Sequence, residues 1–312
     1  MRIGILSRNR SLYSTRRLAQ AIREQGHEAL IIDTMLVSVE SGGERGQLKV
    51  VQPVGLPGWS RAWGAAIRRV TPLPPLTAVI PRIGASITQY GLAVVRHFEN
   101  QGVWTTATAQ AIACSRDKLH SMQLMDLAGL PIPKTAVLAQ PDALYHAVQS
   151  VGGPPVIIKL VEGTQGNGVI LAQNMATAAA VLQTIQQANR RALVQEFIAE
   201  SAGVDRRLII VGDRCVAAME RRASGAGEFR ANLHLGGTAV AIQPDKEMIR
   251  LAVAAAQAHG LKVAGVDILL SDRGPLLLEV NSSPGLQGIE TVTGVDVAGE
   301  IVRYVERAAQ RV

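Results

Sequence analysis

Three oxygen-bearing side chains near the C-terminus have the types and spacing of a cation site: Asp267, Glu279 and Asn281. They lie in VAGVDILLSDRGPLLLEVNSSPGLQG (263–288), where two apolar runs flank Asp272-Arg273-Gly274, a hairpin turn signal. A three-residue loop at 272–274 predicts Asp267 directly opposite Glu279. Asn281, two residues further along, shares that face. Two carboxylates so placed repel each other unless a cation lies between them. Hard oxygen ligands on a fixed sheet suit Mg²⁺ or Mn²⁺. The same alternation also fits a half-buried strand that turns Asp267 and Glu279 to solvent, with Ile268, Leu270, Leu276 and Leu278 on the opposite face.

A second constellation is PPVIIKLVEGTQGNGV (154–169). It lacks the Gly-Lys-Ser/Thr of a phosphate loop and is not a GxGxxG turn. Lys159 instead ends an apolar strand just before a glycine-rich turn at 163–168. A lysine pointing off a sheet beside a closing glycine hairpin can hold nucleotide phosphates; a surface lysine beside an ordinary tight turn has the same pattern. At Val194-Gln195-Glu196-Phe197-Ile198, a strand end can offer backbone donors and acceptors to a base, and the later Asp205 can accept from ribose hydroxyls. Glu220-Arg221-Arg222 and Glu228–His234 bracket a Ser-Gly-Ala-Gly loop. In the second of these segments Arg230 can clamp phosphate or carboxylate bidentately, and Asn232 can serve a nucleotide or a metal. HExxH, GxSxG and Cys-x-x-Cys are absent.

The elements that position these residues follow from periodicity. Strand Ile3–Leu6, helix Leu12–Gln25 and strand Ala29–Ile32 alternate as a βαβ unit, which argues for a parallel sheet. A strand at Leu48–Val51, a basic helix at Trp59–Val70, a strand at Ala78–Pro81 and a helix at Thr88–Asn100 complete an N-terminal α/β domain of residues 1–110. Helix 115–128, with Ser115 as N-cap, opens a central α+β segment (111–190) that ends in strand 169–172 and helix 175–188. The remaining α+β segment (191–312) carries strands at 193–197, 207–211, 215–221, 238–242, 265–270 and 276–280, with helices at 245–259 and 295–310.

Composition narrows the function class. Ten aromatics (three Trp, four Tyr, three Phe) in 312 residues argue against an RNA binder built on stacked bases. Two cysteines, Cys114 and Cys215, have neither disulfide-framework nor zinc spacing and read as reduced thiols in a cytoplasmic protein. No run is long enough to span a membrane. The net charge of +7 belongs entirely to residues 1–110, which carry 13 Lys/Arg and 6 Asp/Glu. Such an excess suits an acidic partner, or is simply a solvated basic surface.

Taken together, the motifs resemble the ATP-grasp superfamily, and within it the RimK-type α-L-glutamate ligases. The resemblance runs through ILSRNRSLYSTRRL (5–18), VIPRIGASITQYG (79–91), SRDKLHSMQLM (115–125), VIIKLVEGTQGNGV, FRANLHLGG (229–237), VAGVDIL and LEVNSSPGLQGIETVTGVDVAG (278–299). It implies an N-terminal pre-ATP-grasp domain and two α+β subdomains clasping ATP. It also implies that Lys118 and Lys159 contact ATP phosphates, that Glu196 and Phe197 form the adenine hinge, and that Asp205 reaches the ribose. Arg230, Ala231 and Asn232 would approach the nucleotide or an acyl phosphate, with Arg230 and Lys159 acting catalytically. Asp267, Glu279 and Asn281 would hold two Mg²⁺ or Mn²⁺ ions. In one respect the chain departs from the family: the stretch between Asp33 and Pro81-Arg82-Ile83-Gly84 is longer, with Trp59, Trp63 and Arg68-Arg69 inside it.

The activity so implied is ATP-dependent addition of L-glutamate, through an acyl phosphate, to the acidic C-terminus of a protein or peptide. A small-subunit ribosomal protein and free glutamate are the implied acceptors. A cytoplasmic homo-oligomer, for example a tetramer, without nucleic-acid specificity or membrane attachment, belongs to the same expectation. Two other readings stand beside it: a related ATP-grasp ligase acting on a cofactor tail or carrier protein, and a basic ribosome- or RNA-associated binding protein.

Overall fold

The computed structural model describes residues 1–40, 48–52, 69–138, 143–160, 168–188, 191–225, 229–231 and 236–310. The chain divides into two compact units, residues 1–109 with 301–312 and residues 110–300.

In the first unit, β1 (Arg2–Leu6), β2 (Glu28–Ile32), β6 (Ala78–Pro81) and β7 (Trp104–Thr105) form a parallel sheet in the order β2-β1-β6-β7. Its strands are short apolar runs, as expected where both faces of a parallel sheet are covered. Helices α1 (Tyr13–Glu24) and α2 (Thr88–Asn100) follow β1 and β6. Strands β3 (Val37–Val39), β4 (Leu48–Gln52) and β5 (Arg69–Pro72) make a separate antiparallel sheet. The helix expected at Trp59–Val70 lies mostly outside the described residues, and its last two positions are strand instead. Residues 301–312 join this unit rather than the C-terminal segment. The helix carrying them sets Tyr304 against Trp104, ring centroids 6.1 Å apart, and Glu306 at 3.7 Å from His27.

The second unit holds two antiparallel sheets. One has the order β10-β9-β11-β8, from β8 (Thr135–Val137), β9 (Val156–Leu160), β10 (Val169–Ala172) and β11 (Ala192–Glu196). The expected boundary at 190 falls inside it, because β11 completes the sheet from beyond that point. Val156, Ile158 and Val194 form a dry core with Val148 of α5 (Leu144–Ser150) and Ala178 and Leu182 of α6 (Met175–Gln187). The alternate residues Ile157, Lys159 and Gln195 therefore face the other way.

The second sheet has the order β14-β13-β12-β15-β16, from β12 (Val204–Val211), β13 (Arg214–Arg222), β14 (Thr238–Ala241), β15 (Val263–Ser271) and β16 (Gly274–Asn281). Helix α7 (Lys246–Ala258) packs across it. It buries Met248, Leu251 and Ala255, while Val266, Ile268 and Leu277 of the sheet are fully buried. The helix expected at 295–310 is α9 (Val297–Ala309), and a short helix that was not expected, α8 (Gln287–Thr293), precedes it.

The helix expected from Ser115 is two helices. α3 (Ala109–Arg116) ends before Asp117, and α4 (Lys118–Leu127) begins after it. Asp117 is the N-cap, accepting from the backbone N–H of Leu119 (2.9 Å) and His120 (3.1 Å). The Ser115 hydroxyl is spent inside α3, donating to the Ile112 carbonyl at 3.0 Å. α4 is fastened to α7 through a buried contact. His259 Nδ1 donates to the Ala255 carbonyl at 2.8 Å, so Nε2 accepts from the Ser121 hydroxyl at 2.8 Å. Burial lowers the His259 pKa and favours that neutral ring. Because Lys118 is the first residue of α4, this cap and this contact set where it sits. Asp117→Ala removes one cap, worth about 1 kcal/mol; a drop of a few degrees in thermal midpoint, with Ser115→Ala neutral by comparison, is the expected calorimetric result.

Candidate functional site

A cleft of about 310 Å³ opens within the second unit. Every described residue singled out from sequence lines it: Lys118, Lys159, Glu196, Phe197, Asp205, Arg230, Ala231, Asp267, Glu279 and Asn281. Asn232 and residues 163–167 of the glycine-rich turn lie outside the described residues.

The floor comes from the five-stranded sheet, and its register has an unexpected origin. The β15–β16 turn contains two residues, Asp272 and Arg273, with Ser271 paired to Gly274. A bulge between Asp267 and Ile268 then inserts Leu278 as an extra residue and brings Glu279 opposite Asp267. The expected pairing is therefore present, reached through a shorter turn plus a bulge. Two neighbours change sides as a result. Leu276 pairs with Leu269 rather than Leu270, Leu277 rather than Leu278 pairs with Ile268, and Leu278 lines the cleft. The β12–β13 hairpin repeats the device. Gly212 and Asp213 form the turn, and a bulge between Ile209 and Ile210 brings Arg221 opposite Asp205.

These registers build a charge network that the sequence reading missed. Arg207 stands opposite Asp267 and grips it bidentately, Nε to Oδ1 at 2.7 Å and a terminal nitrogen to Oδ2 at 2.6 Å. Arg221 grips Asp205 in the same way at 2.6 and 2.7 Å and reaches Asp267 Oδ2 at 2.8 Å. Burial alone would raise the Asp267 pKa, but the two guanidiniums outweigh it and hold the carboxyl at about 2. Burial and the charge of Asp267 push Asp205 up to about 6 against the pull of Arg221. Arg207 could have been found from alternation, since Asp205 and Arg207 share a strand face; Arg221 could not, because the turn at Gly212-Asp213 alone would set Glu220 opposite Asp205.

The opposite ligands are differently placed. Among the described residues, Glu279 and Asn281 make no hydrogen bond or ion pair through their side chains. Asp267 has one lone pair uncommitted on Oδ1 after its three arginine contacts. No three His, Cys, Asp or Glu side chains of the described residues converge as a metal cluster. The donor set is two carboxylates and an amide oxygen, all hard, which fits Mg²⁺ or Mn²⁺. Gly265, opposite Asn281, is needed for the close approach of Pro284, whose Cβ would lie 2.8 Å from an added methyl.

Two expected nucleotide contacts are otherwise engaged. The Glu196 carboxylate accepts from Arg273 at 2.7 Å and from the Lys134 backbone N–H at 3.1 Å, and the Glu196 backbone N–H donates to the Lys134 carbonyl at 2.9 Å. The Asp205 carboxylate belongs to Arg221, as above. Arg230 lies 5.7 Å from the Phe229 ring centroid. Apolar lining comes from Ile157, Val169, Ile198, Val204, Leu269 and Leu278.

Lys159 is half-buried, and Lys118 lies in the same charged cluster. Burial, helped by the like charge of Lys118, lowers the Lys159 pKa to about 8, while Glu279 and then Asp267 pull it back up. Burial also lowers Lys118, with Glu279 again opposing.

Comparison with solved structures places this architecture among ATP-grasp enzymes. The ATP-grasp ligase PsnB, in complexes that include Mg and ADP with a precursor variant, superposes with a TM-score of 0.70 over 99% of this chain and 98% of its own at 20% identity. The RimK domain ATP-grasp protein of Sphaerobacter thermophilus does so with 0.67 over 98% and 100% at 21% identity. Residues 115–305 match the RimK-like ATP-grasp domain, and residues 1–52 and 65–112 the RimK PreATP-grasp domain. Residues 53–64, between the two parts of the PreATP-grasp match, are unmatched. A probable alpha-L-glutamate ligase of Marinomonas sp. is 47% identical over 99% of this chain and 96% of its own, and one of Pseudomonas aeruginosa 46% over 98% and 96%. The chain belongs to the RimK-like ATP-grasp family. It is an ATP-dependent ligase.

The protonation of Lys159 makes a measurable demand on nucleotide binding. Below about 8 the amine is charged and attracts phosphate; above it the charge is lost. ADP affinity, followed by calorimetry from neutral to alkaline pH, is expected to fall by at most about tenfold per pH unit beyond that value. Lys159→Arg is expected to flatten this limb, since a guanidinium stays charged.

Proposed function

We propose that the chain joins the amine of L-glutamate to a carboxylate at the expense of ATP, with the acidic C-terminus of a protein or peptide, or glutamate itself, supplying the carboxylate. A small-subunit ribosomal protein is the protein acceptor this reading favours. One observation carries it: Lys118 and Lys159 line the same cleft as Asp267, Glu279 and Asn281, so hard oxygen donors and phosphate-attracting cations share one site. The relatives' printed names, and the precursor peptide bound by PsnB, support glutamate and a peptide as substrates. The basic excess of residues 1–110 supports an acidic acceptor. Two free cysteines accord with a reducing cytoplasm, and no described helix is long and apolar enough to cross a membrane.

In the first step a carboxylate oxygen attacks the γ-phosphorus of ATP. The bond to the bridging oxygen breaks, leaving ADP and an acyl phosphate. In the second, the glutamate nitrogen attacks the acyl carbon, the amide forms, phosphate leaves, and the ammonium proton is released. Lys159, Lys118 and Arg230 supply fixed positive charge to the phosphates. Asp267, Glu279 and Asn281 would hold one or two divalent cations, whose chemistry is to neutralise phosphate charge. The apolar lining takes the base and keeps water from the reacting atoms.

Two results test this. Because Glu279 makes no side-chain hydrogen bond or ion pair among the described residues, Glu279→Gln is expected to leave the thermal midpoint nearly unchanged while lowering kcat by about 100-fold or more; retention of near-wild-type turnover at limiting Mg²⁺ overturns the cation site. Each glutamate added is expected to release one ADP and one phosphate. Stoichiometric AMP and pyrophosphate would instead establish an acyl adenylate.

A further inference from the structure

Gln195 is 1% exposed, yet its side chain belongs to the cleft wall rather than to the core behind it. Its three neighbours fix which end of the amide is which. The Lys159 ammonium can only donate, so the atom it meets at 2.7 Å is the carbonyl oxygen Oε1. The Nε2 group then needs acceptors. Thr135 Oγ1 lies at 2.8 Å, and its own proton is spent on the Pro133 carbonyl at 2.9 Å, so it accepts. Met122 Sδ lies at 3.9 Å on the same nitrogen. The chain of donors runs one way: Lys159 to Gln195, Gln195 to Thr135, Thr135 to the backbone.

The register explains why this residue can do it. Gln195 pairs with Thr135 on one side and Ile157 on the other, and Lys159 is two residues along from Ile157 on the same face. Gln195 thus sits diagonal to Lys159, within reach of its long side chain. Chemically, an amide is the group that satisfies both ends. A carboxylate could hold the lysine but could not donate to Thr135, and its charge would cancel the one an incoming phosphate needs. An apolar residue would leave the ammonium without its hydrogen bond.

We propose that Gln195 is a positioning residue for the nucleotide: it orients the Lys159 ammonium towards the phosphates without neutralising it, and is itself oriented by Thr135. This rests on the reading of Lys159 as a phosphate ligand.

The test is a pair of double-mutant cycles read as the Kd of ADP in the presence of Mg²⁺, with thermal midpoints measured alongside. Gln195→Met is expected to weaken ADP about tenfold in the wild-type background and to have no effect in Lys159→Met, because its action passes through that amine. Thr135→Val, which removes only the hydroxyl, is expected to show a smaller loss of the same kind, also abolished in Lys159→Met. Should Gln195→Met fail to fold, the Thr135→Val cycle decides alone. Equal losses in both backgrounds would make these side chains ordinary wall and overturn the proposal, as would unaltered ADP affinity in the single variants. If Lys159→Met by itself binds ADP like the wild type, the phosphate role of the lysine fails instead, which is a distinct outcome.

Discussion

Two arginines and two aspartates, all buried except the half-buried Arg207, lie on one face of the five-stranded sheet, and the rest of the cleft depends on their mutual cancellation. Each charge alone would be very costly to bury. Together they are net neutral, and their oxygens and guanidinium forks are matched at 2.6 to 2.8 Å. Breaking such a pair leaves an uncompensated buried charge, at a cost of about 3–5 kcal/mol. The network also keeps Asp267 ionised down to very acid pH, so its remaining lone pair is a dependable oxygen donor. The mobile part of the site's charge is carried elsewhere, by Lys159 and Lys118, whose amines are held nearer their titration range by desolvation.

That division separates a rigid floor from a responsive wall within the second unit. In the floor, burial would lower the Arg221 pKa, but the charges of Asp267 and Asp205 outweigh it and raise that pKa, so the guanidinium keeps its proton. The wall's lysine is held by an uncharged amide, so an arriving polyphosphate meets an ammonium that is placed but not yet paired. Preorganised charge of this kind needs no rearrangement when phosphate charge develops during transfer.

Much of this was legible in the sequence. Strand alternation and glycine punctuation located Lys159, and a hairpin signal put Asp267 across from Glu279. That pairing came from a three-residue loop, whereas the chain uses a two-residue turn and a bulge at Leu278. A bulge leaves no mark in hydrophobic alternation within an all-leucine run, which is why Leu276 and Leu278 were assigned to the wrong side. Arg207 and Arg221 escaped notice because a charged residue in a strand reads as solvent-facing until its cross-strand partner is known. Ser115 was a reasonable cap by type, but Asp117, two residues on, has the stronger acceptor and the open N–H groups. The strand at Arg69–Pro72 depends on tertiary pairing that local propensity does not encode.

The two bulges have an effect beyond register. An extra residue in one strand of a pair bends that strand and sharpens its right-handed twist. Here both fall in adjacent hairpins, within a few residues of Asp205 and Asp267, on strands that flank the shared β12–β15 pair. The sheet is therefore curved where the carboxylates sit. The two extra residues, Val216 and Leu278, therefore place added twist on the outer strands that bracket Asp205 and Asp267, so the floor of the cleft is shaped by its neighbours as well as by its own pair of strands.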